Sequence, residues 1–599
     1  MKEKILEIIK KVLGADAAIE LFVPEESTFG HYSTNVAMRM KEGEWRMENG
    51  EWNEKTIERA KKLAEEIAKA APVGFFEKVE AVGPGFINFW LGKETISEEF
   101  WKMADGRWPM AESISFSNLH SPFSDSKVII EFTDPNPFKL FHIGHLMSNA
   151  IGESIARLIE AQGADVKRLS YGGDVGLHVA KAIFGVRERM RQEGLTADAL
   201  RTSDAKTQLA FWADAYVFGS TKYEEDESAK KEIDGLNKTV FEKSDPAVNE
   251  LYAWGREISI RHFQEIFARL DTKFVRNYWE SEVAEEGLKA VEKGLKENIL
   301  EKSDGAVVFK GEAHGLHTRV FVNSKGVPTY EAKELGLTAR KYQDFHFDQS
   351  IVITGNEQND YFRVLLKAMD LLMPEAAGKT KHIGHGMLRF ESGKMSSRKG
   401  NIIAAEALIG QAKEKLQAFV SERSELDAAE RAAATEAIAI GAIKYSILRQ
   451  NPGQDIVFDF EKSLSFEGDS GPYLQYAFAR LRSILRKWEM GGGKWEVGNG
   501  KSPTSHFSFL TSQLELSLMR KILEFPDIVQ RAGVNFTPST LATYLHKLAS
   551  IANKFYETTP ILKDENGERR TARLQLAETA AQTIRTGLHL LGIKTLEKI

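Results

Sequence analysis

The segment from Lys127 to Tyr171 restricts the possible folds more than any other. Val128-Ile129-Ile130-Glu131-Phe132 is an apolar run with the length of a buried strand, and after a short loop Ile143, Leu146, Met147, Ile151, Ile155, Leu158 and Ile159 recur at helical spacing. Gly163 closes that helix, and Lys167 to Tyr171 supplies the next strand. Two strands joined through a helix are parallel and right-handed in their crossover, and a parallel sheet needs helices on both faces. The expected core is therefore a doubly wound α/β sheet.

With 599 residues, the chain is long enough for two to four domains around that core. Residues up to about 110 read as a small α+β unit with an opening amphipathic helix, a Lys/Glu-rich helix near Thr56 to Ala70 and an apolar strand from Gly85 to Leu91. A Ser-rich linker follows at 111–126. The sheet domain is expected at 127–400. A charged helical insertion occupies it from about 184 to 300, and strands return at Ala306 to Phe309 and Ile351 to Thr354. Beyond Asn401 nearly everything reads as amphipathic helix: a connector at 401–440 and a bundle at 441–599, broken by a loop at Gly491-Gly492-Gly493.

Composition removes several chemistries. The absence of cysteine excludes disulfides, thiol nucleophiles, iron-sulfur clusters and thiolate zinc sites. The N-terminus has no signal-like apolar run, and no stretch reaches membrane-spanning length, so the chain is expected to be soluble and cytoplasmic. The net charge of -6 hides an asymmetry, because residues 441–599 hold 21 basic against 16 acidic side chains. A basic C-terminal part suits a polyanionic partner.

The loop after the first strand, Thr133-Asp134-Pro135-Asn136-Pro137-Phe138-Lys139-Leu140-Phe141-His142-Ile143-Gly144-His145, places two histidines at a helix start. A helix N-terminus at the carboxyl edge of a parallel sheet presents unpaired N–H groups and a positive dipole to a phosphate, and two imidazoles there can donate to a phosphoryl group gaining charge. The same tetrapeptide recurs as His382-Ile383-Gly384-His385, but no long helix follows it. Nine residues on comes Lys394-Met395-Ser396-Ser397-Arg398-Lys399-Gly400-Asn401, a basic loop that can fold over a triphosphate.

Together these motifs resemble the class I aminoacyl-tRNA synthetases, in which an H-I-G-H signature and a K-M-S-K-S loop bind ATP. Pro84-Gly85-Phe86-Ile87-Asn88-Phe89, Gly173-Asp174-Val175-Gly176, Pro328-Thr329-Tyr330, Gly471-Pro472-Tyr473-Leu474-Gln475-Tyr476 and Gly587-Leu588-His589-Leu590-Leu591-Gly592-Ile593 narrow the resemblance to the arginyl enzymes, in family order along essentially the whole chain. It implies a Rossmann-like catalytic domain with an insertion, a small α+β N-terminal domain that touches the tRNA and an all-α anticodon-binding bundle. It also implies a monomer that joins L-arginine to tRNA(Arg) through arginyl-adenylate, with ATP and Mg2+ and with no metal site of its own.

Residue by residue, the resemblance implies catalytic roles for His142, His145, Lys139 and Lys394, and ATP contacts at Gly144, Asn136, Met395, Ser396, Ser397 and Lys399. It implies an arginine pocket of Glu131, Asn136, His142, Tyr330, Glu334 and Gln358. Contacts to tRNA fall on Phe86 and Asn88, and on Tyr473, Tyr476, Arg480, Arg482 and Tyr556. A planar cation rich in donors calls for such carboxylates and acceptors. Four positions depart from the family pattern: Asp134 stands for Ser, Leu140 for Pro, Glu334 for Asp, and Ser397 for the second loop Lys, whose role Lys139 is expected to take over.

Other readings fit less well. A cysteinyl enzyme selects its substrate with thiolate-bound zinc, which this chain cannot build, and the large editing enzymes need a domain for which there is no room. An inactive, RNA-binding paralogue would not need both histidines and the pocket carboxylates. A small nucleotidylyltransferase shares the H-x-G-H logic but has no helical tail.

Overall fold

The structure is a computed structural model, and it describes residues 1–24, 27–39, 54–104, 121–390, 403–423, 426–492 and 509–599. The central sheet has five strands, β1 (Lys127–Glu131), β2 (Asp165–Gly172), β3 (Arg276–Trp279), β4 (Gln349–Gly355) and β5 (Thr380–His385), in the order β5-β4-β1-β2-β3 and all parallel. The chain leaves β1 toward β2 and β3 and later returns to its other side as β4 and β5. The carboxyl edge between β1 and β4 is therefore the switch point at which open α/β sheets hold their ligands. Helix α1 (Ile143–Glu160) starts there.

Residues alternate between the two faces of the sheet. Val128, Ile130, Ile351 and Ile353 pack against α1 and the C-terminal helices in one continuous core that also takes in the N-terminal unit. Ile129, Leu169, Tyr278 and Val352 face a second core. It is roofed by α2 (Glu280–Lys296), α3 (Tyr330–Phe345) and α4 (Asn359–Leu372).

Three expectations change. Residues 184–300 are not one excursion, because Arg276–Trp279 returns to pair with β2 and α2 belongs to the sheet layer. Ala306–Phe309 is a strand, but it joins a separate antiparallel sheet with Glu301–Ser303 and Arg319–Val322. Helix α5 (Ala428–Leu448) runs unbroken through the expected boundary at 440/441.

The N-terminal unit is a four-stranded antiparallel sheet in which Phe86–Leu91 pairs on both sides, backed by the helices Lys2–Leu13 and Glu54–Ala70. The C-terminal part is helical, including α6 (Gly471–Met490), α7 (Pro538–Thr558) and α8 (Gly567–Leu590). Its last residues clamp the far half of α1. Ser154 Oγ donates to the Leu590 carbonyl at 2.9 Å, Arg157 donates to the His589 carbonyl at 3.0 Å, and the buried Lys444 ammonium donates to the carbonyls of Leu270 and Gly592 at 2.7 Å each. The helix that opens on the histidines is thus fixed at its other end by the Gly587–Ile593 motif. Among the described residues no helix is long and apolar enough to cross a membrane.

Candidate active site

The β1–α1 loop is held in a shape that side chains resist. Thr133, Asp134 and Phe138 have φ of 81°, 48° and 70°, and a β-branched residue at positive φ is strained. Anchors compensate. The Thr133 N–H donates to Ser148 Oγ at 2.9 Å, the Phe138 N–H to Ser259 Oγ at 3.0 Å, the Tyr171 N–H to the Asp134 carboxylate at 2.8 Å and the Gly173 N–H to Asn136 Oδ1 at 2.6 Å. The unusual Asp134 therefore ties the loop to β2. Leu140 is exposed.

His142 is the N-cap of α1. Its Nδ1 accepts the Gly144 N–H at 3.1 Å, while the Nδ1 of His145 accepts the His142 N–H at 3.2 Å. The two rings stack 3.6 Å apart. Gly144 permits this approach, since a Cβ there would lie 3.0 Å from the His142 ring. Burial lowers both pKa values, that of His145 strongly, so both rings are neutral. With each Nδ1 accepting, the proton of each ring sits on Nε2, and two N–H donors are left for a ligand at the helix N-terminus. Lys139 is partly buried nearby, its ammonium pKa lowered by burial.

Beside this turn, on the second sheet face, acidic groups converge. Glu131 and Lys341 form a buried pair at 2.5 Å, and Glu280 pairs with Lys333 at 2.6 Å. Glu334 has no ion pair among the described residues. Its pKa is pushed up to about 8 by burial and by Glu131, against the opposing pull of Lys341. Burial and Glu131 likewise raise the Asp134 carboxyl. Gly173 marks the crowding, since a Cβ there would meet both Asn136 Oδ1 and Glu280 Oε1 at 2.9 Å. A partly buried carboxyl held protonated in a cluster of acidic groups is a site prepared for a cation.

Tyr330 and Gln358 lie further out. Tyr330 is exposed at the start of α3, with the Lys333 ammonium 5.2 Å above its ring, and Gln358 is exposed at the head of α4. The motif residue Asp174 is fully buried. It accepts from Ser281 N–H, Ser281 Oγ, Tyr252 and Arg256, which fixes the start of α2 and so of Glu280. Neither Glu280 nor Asp174 stands out in the sequence as a site residue. Glu280 opens a helix as charged as any surface helix, and only the fold brings it against the Gly173-Asp174 motif.

The second tetrapeptide forms β5. His382 stacks on Phe362 at 4.0 Å and lies 2.8 Å from Thr354 Oγ1, while His385 Nδ1 lies 2.7 Å from the Gly386 carbonyl, to which it donates. Lys394, Met395, Ser396, Ser397 and Lys399 lie outside the described residues. The chain that follows them is stitched to the histidine turn: the Ile143 N–H donates to the Ile403 carbonyl and the Ala405 N–H to that of Phe141, both at 3.0 Å.

The residues expected to meet tRNA lie apart from this centre. Phe86 is partly exposed and edge-on to Phe22 at 6.1 Å. Asn88 is buried, its Oδ1 accepting the Ser33 hydroxyl at 2.7 Å. Arg480 lies over the rings of both Tyr476 and Tyr556 and pairs with Glu557 at 2.7 Å. Tyr473 faces His546 at 5.6 Å. Arg482 points elsewhere, into ion pairs with Glu578 and Glu597 at 2.9 Å each that fasten the C-terminus.

Comparison with known proteins agrees with this layout over the full chain. Residues 117–460 match the catalytic domain of the class I (R) tRNA synthetases, residues 474–599 the DALR anticodon binding domain and residues 1–91 the arginyl tRNA synthetase N-terminal domain. The chain is similar to the arginine–tRNA ligase of Fusobacterium nucleatum, at 31% identity over 97% of this chain and 95% of that one, and to that of Treponema denticola, at 30% identity over 86% of each. Its fold is that of the arginyl-tRNA synthetase of Thermus thermophilus, with a TM-score of 0.75 at 24% identity, covering 100% of this chain and 99% of that one. A neutral histidine pair at the switch point, an acidic pocket beside it and this end-to-end similarity give one assignment: the chain belongs to the arginyl-tRNA synthetases, the class I arginine–tRNA ligases.

Proposed function

We infer that the family's reaction, ATP-dependent ligation of L-arginine to tRNA(Arg), takes place in this chain between the His142–His145 turn and the carboxylate pocket. One arginine carboxylate oxygen bonds to the α-phosphorus of ATP as the bond to the pyrophosphate oxygen breaks. The terminal ribose hydroxyl of the tRNA then attacks the activated carbonyl, loses its proton and displaces AMP. The Nε2–H groups of His142 and His145 donate to the phosphoryl oxygens as negative charge builds on them, and the ammonium of Lys139 adds to that field. Because their Nδ1 atoms are engaged by backbone N–H groups, these donors are aimed before substrate arrives. Mg2+ is read as the counter-ion of ATP, offsetting the charge of the triphosphate. Among the described residues no group of three or more His, Asp and Glu side chains is placed to hold a metal.

The observation that carries this reading is Glu334, a partly buried carboxyl without an ion-pair partner among the described residues, in the pocket next to the histidines. The guanidinium of arginine supplies its missing cation, and Glu131 and Glu280 complete the acidic wall. Lys394, Met395, Ser396, Ser397 and Lys399 are assigned to the triphosphate, and Gly144 and Asn136 to the nucleotide. Tyr330 and Gln358 are assigned to the pocket mouth. Phe86, Tyr473, Tyr476, Arg480 and Tyr556 are assigned to tRNA, and the chain is read as a cytoplasmic monomer. Asn88 and Arg482 are given structural roles instead.

The test is ATP–pyrophosphate exchange with each proteinogenic amino acid, with and without tRNA(Arg). Arginine with tRNA should exchange, and lysine should be slower by about 10³-fold or more, because an ammonium leaves the fork-shaped acceptors of the pocket unpaired. Comparable exchange with lysine would overturn the pocket assignment.

A further inference from the structure

Among the described residues, two hydroxyl groups of the carboxylate pocket have no hydrogen-bond partner. Tyr171 lies two residues beyond Leu169, the β2 partner of Glu131 in register, so strand alternation puts its side chain on the same sheet face as Glu131. Tyr361 enters from the first turn of α4, in the roof over that face. Both phenol oxygens are buried and have no hydrogen-bond partner among the described residues.

Their surroundings are acidic. Glu334 and Glu280 lie close enough to act on both phenols, Glu131 also acts on Tyr171, and Glu331 acts on Tyr361. Burial and these charges push both pKa values far up, so each group is a neutral O–H. Arg319 lies over the Tyr361 ring at 5.7 Å and satisfies neither oxygen.

A buried, unpaired hydroxyl is unfavourable, and phenylalanine would fill the same space in this apolar layer without it. The acceptors already present are partly occupied, since Lys341 takes a Glu131 oxygen and Lys333 a Glu280 oxygen. A guanidinium brings more donors than the remaining carboxylate oxygens can meet in one plane. A phenol oxygen can accept from the guanidinium while its own O–H donates to a carboxylate.

We propose that Tyr171 and Tyr361 are specificity-determining residues for arginine, their hydroxyl oxygens accepting guanidinium N–H groups while bridging to the pocket carboxylates. The proposal rests on the reading that this pocket binds the arginine side chain. An ammonium lacks the planar array of five donors, so two added acceptors also favour arginine over lysine.

The test uses the full-length chain with Tyr171→Phe, Tyr361→Phe and the double variant, beside Glu334→Gln. It measures aminoacylation constants for arginine and ATP, and melting with and without arginine. Each tyrosine variant should raise KM for arginine by about tenfold, as expected for the loss of one buried hydrogen bond to a charged group. The KM for ATP should not change, the melting temperature of the free protein should be unchanged or higher, and the stabilisation by arginine should shrink. A structural role would give the opposite signature, a lower melting temperature with an unchanged KM for arginine. If Glu334→Gln raises KM for arginine and neither tyrosine variant does, the proposal is overturned while the pocket stands. If none of the variants moves it, the pocket reading falls and the proposal with it.

Discussion

Replacing His145 with alanine should slow single-turnover formation of arginyl-adenylate by about 10²-fold or more, the usual cost of removing one preorganised donor to developing charge. The protein should remain folded. His145 also accepts the His142 N–H, so the variant should lose about 1 kcal/mol of stability through the helix cap. His385→Ala provides the contrast. That ring lies on the same edge of the sheet, near enough for its charge to act on His145, but it stands on β5, caps no helix and donates its Nδ1–H to a carbonyl of its own strand end. Its loss should cost about tenfold or less, through packing. Rapid-quench assays on both variants, with melting curves to establish folding, measure the asymmetry. Equal losses, or a larger loss at His385, would place the phosphates at the second copy.

The second large effect concerns Glu334. Its folded-state pKa is raised from the usual 4.5 to about 8. The folded protein therefore holds a proton that the unfolded chain releases, and the associated stability is present at low pH and is lost as pH rises through about 8. A guanidinium in the pocket reverses this preference, because it favours the carboxylate. Arginine binding should then release a proton. The KM for arginine should fall as pH rises from neutrality and level off above about 8, and the thermal stabilisation by arginine should grow over the same range. Glu131, Glu280 and Glu331 raise this carboxyl and Lys341 lowers it, so the profile reports the whole cluster. Glu334→Gln should cost roughly 10²-fold in kcat/KM for arginine, and should flatten the pH profile of KM. A variant that kept the wild-type slope would assign the titration to another group of the cluster, where Asp134 and Glu280 are shifted the same way.

The elements readable in the sequence are those whose residues report their own environment. β1 is a run of apolar residues buried on both faces and α1 carries an unbroken helical period, so both stand out, and so does the histidine-bearing turn between them. The strand-forming tendency of Ala306–Phe309 was equally plain, but which sheet it joined depended on pairing with distant residues. The edge strand Arg-Asn-Tyr-Trp at 276–279 has no apolar run and was hidden in charged sequence. The site divides in the same way. Glu131 stood out as a charge in a buried strand, whereas Glu280 looks like one of several acids opening a surface helix until Lys333 and Gly173 close around it. Asn88 alternates with Ile87 and Phe89 as an outward residue would, yet on its own face of the sheet it is buried and accepts the hydroxyl of its cross-strand neighbour Ser33. Arg482 contributes to the basic count of the C-terminal part, but its charge is used within the fold.

The most direct measurement is a crystal structure with a non-hydrolysable arginyl-adenylate analogue. The account predicts the guanidinium within hydrogen-bond reach of Glu334 and the phosphoryl mimic within about 3.2 Å of the Nε2 atoms of His142 and His145. An analogue bound with its phosphoryl mimic on His382 and His385, or with its guanidinium away from the carboxylates, would contradict it.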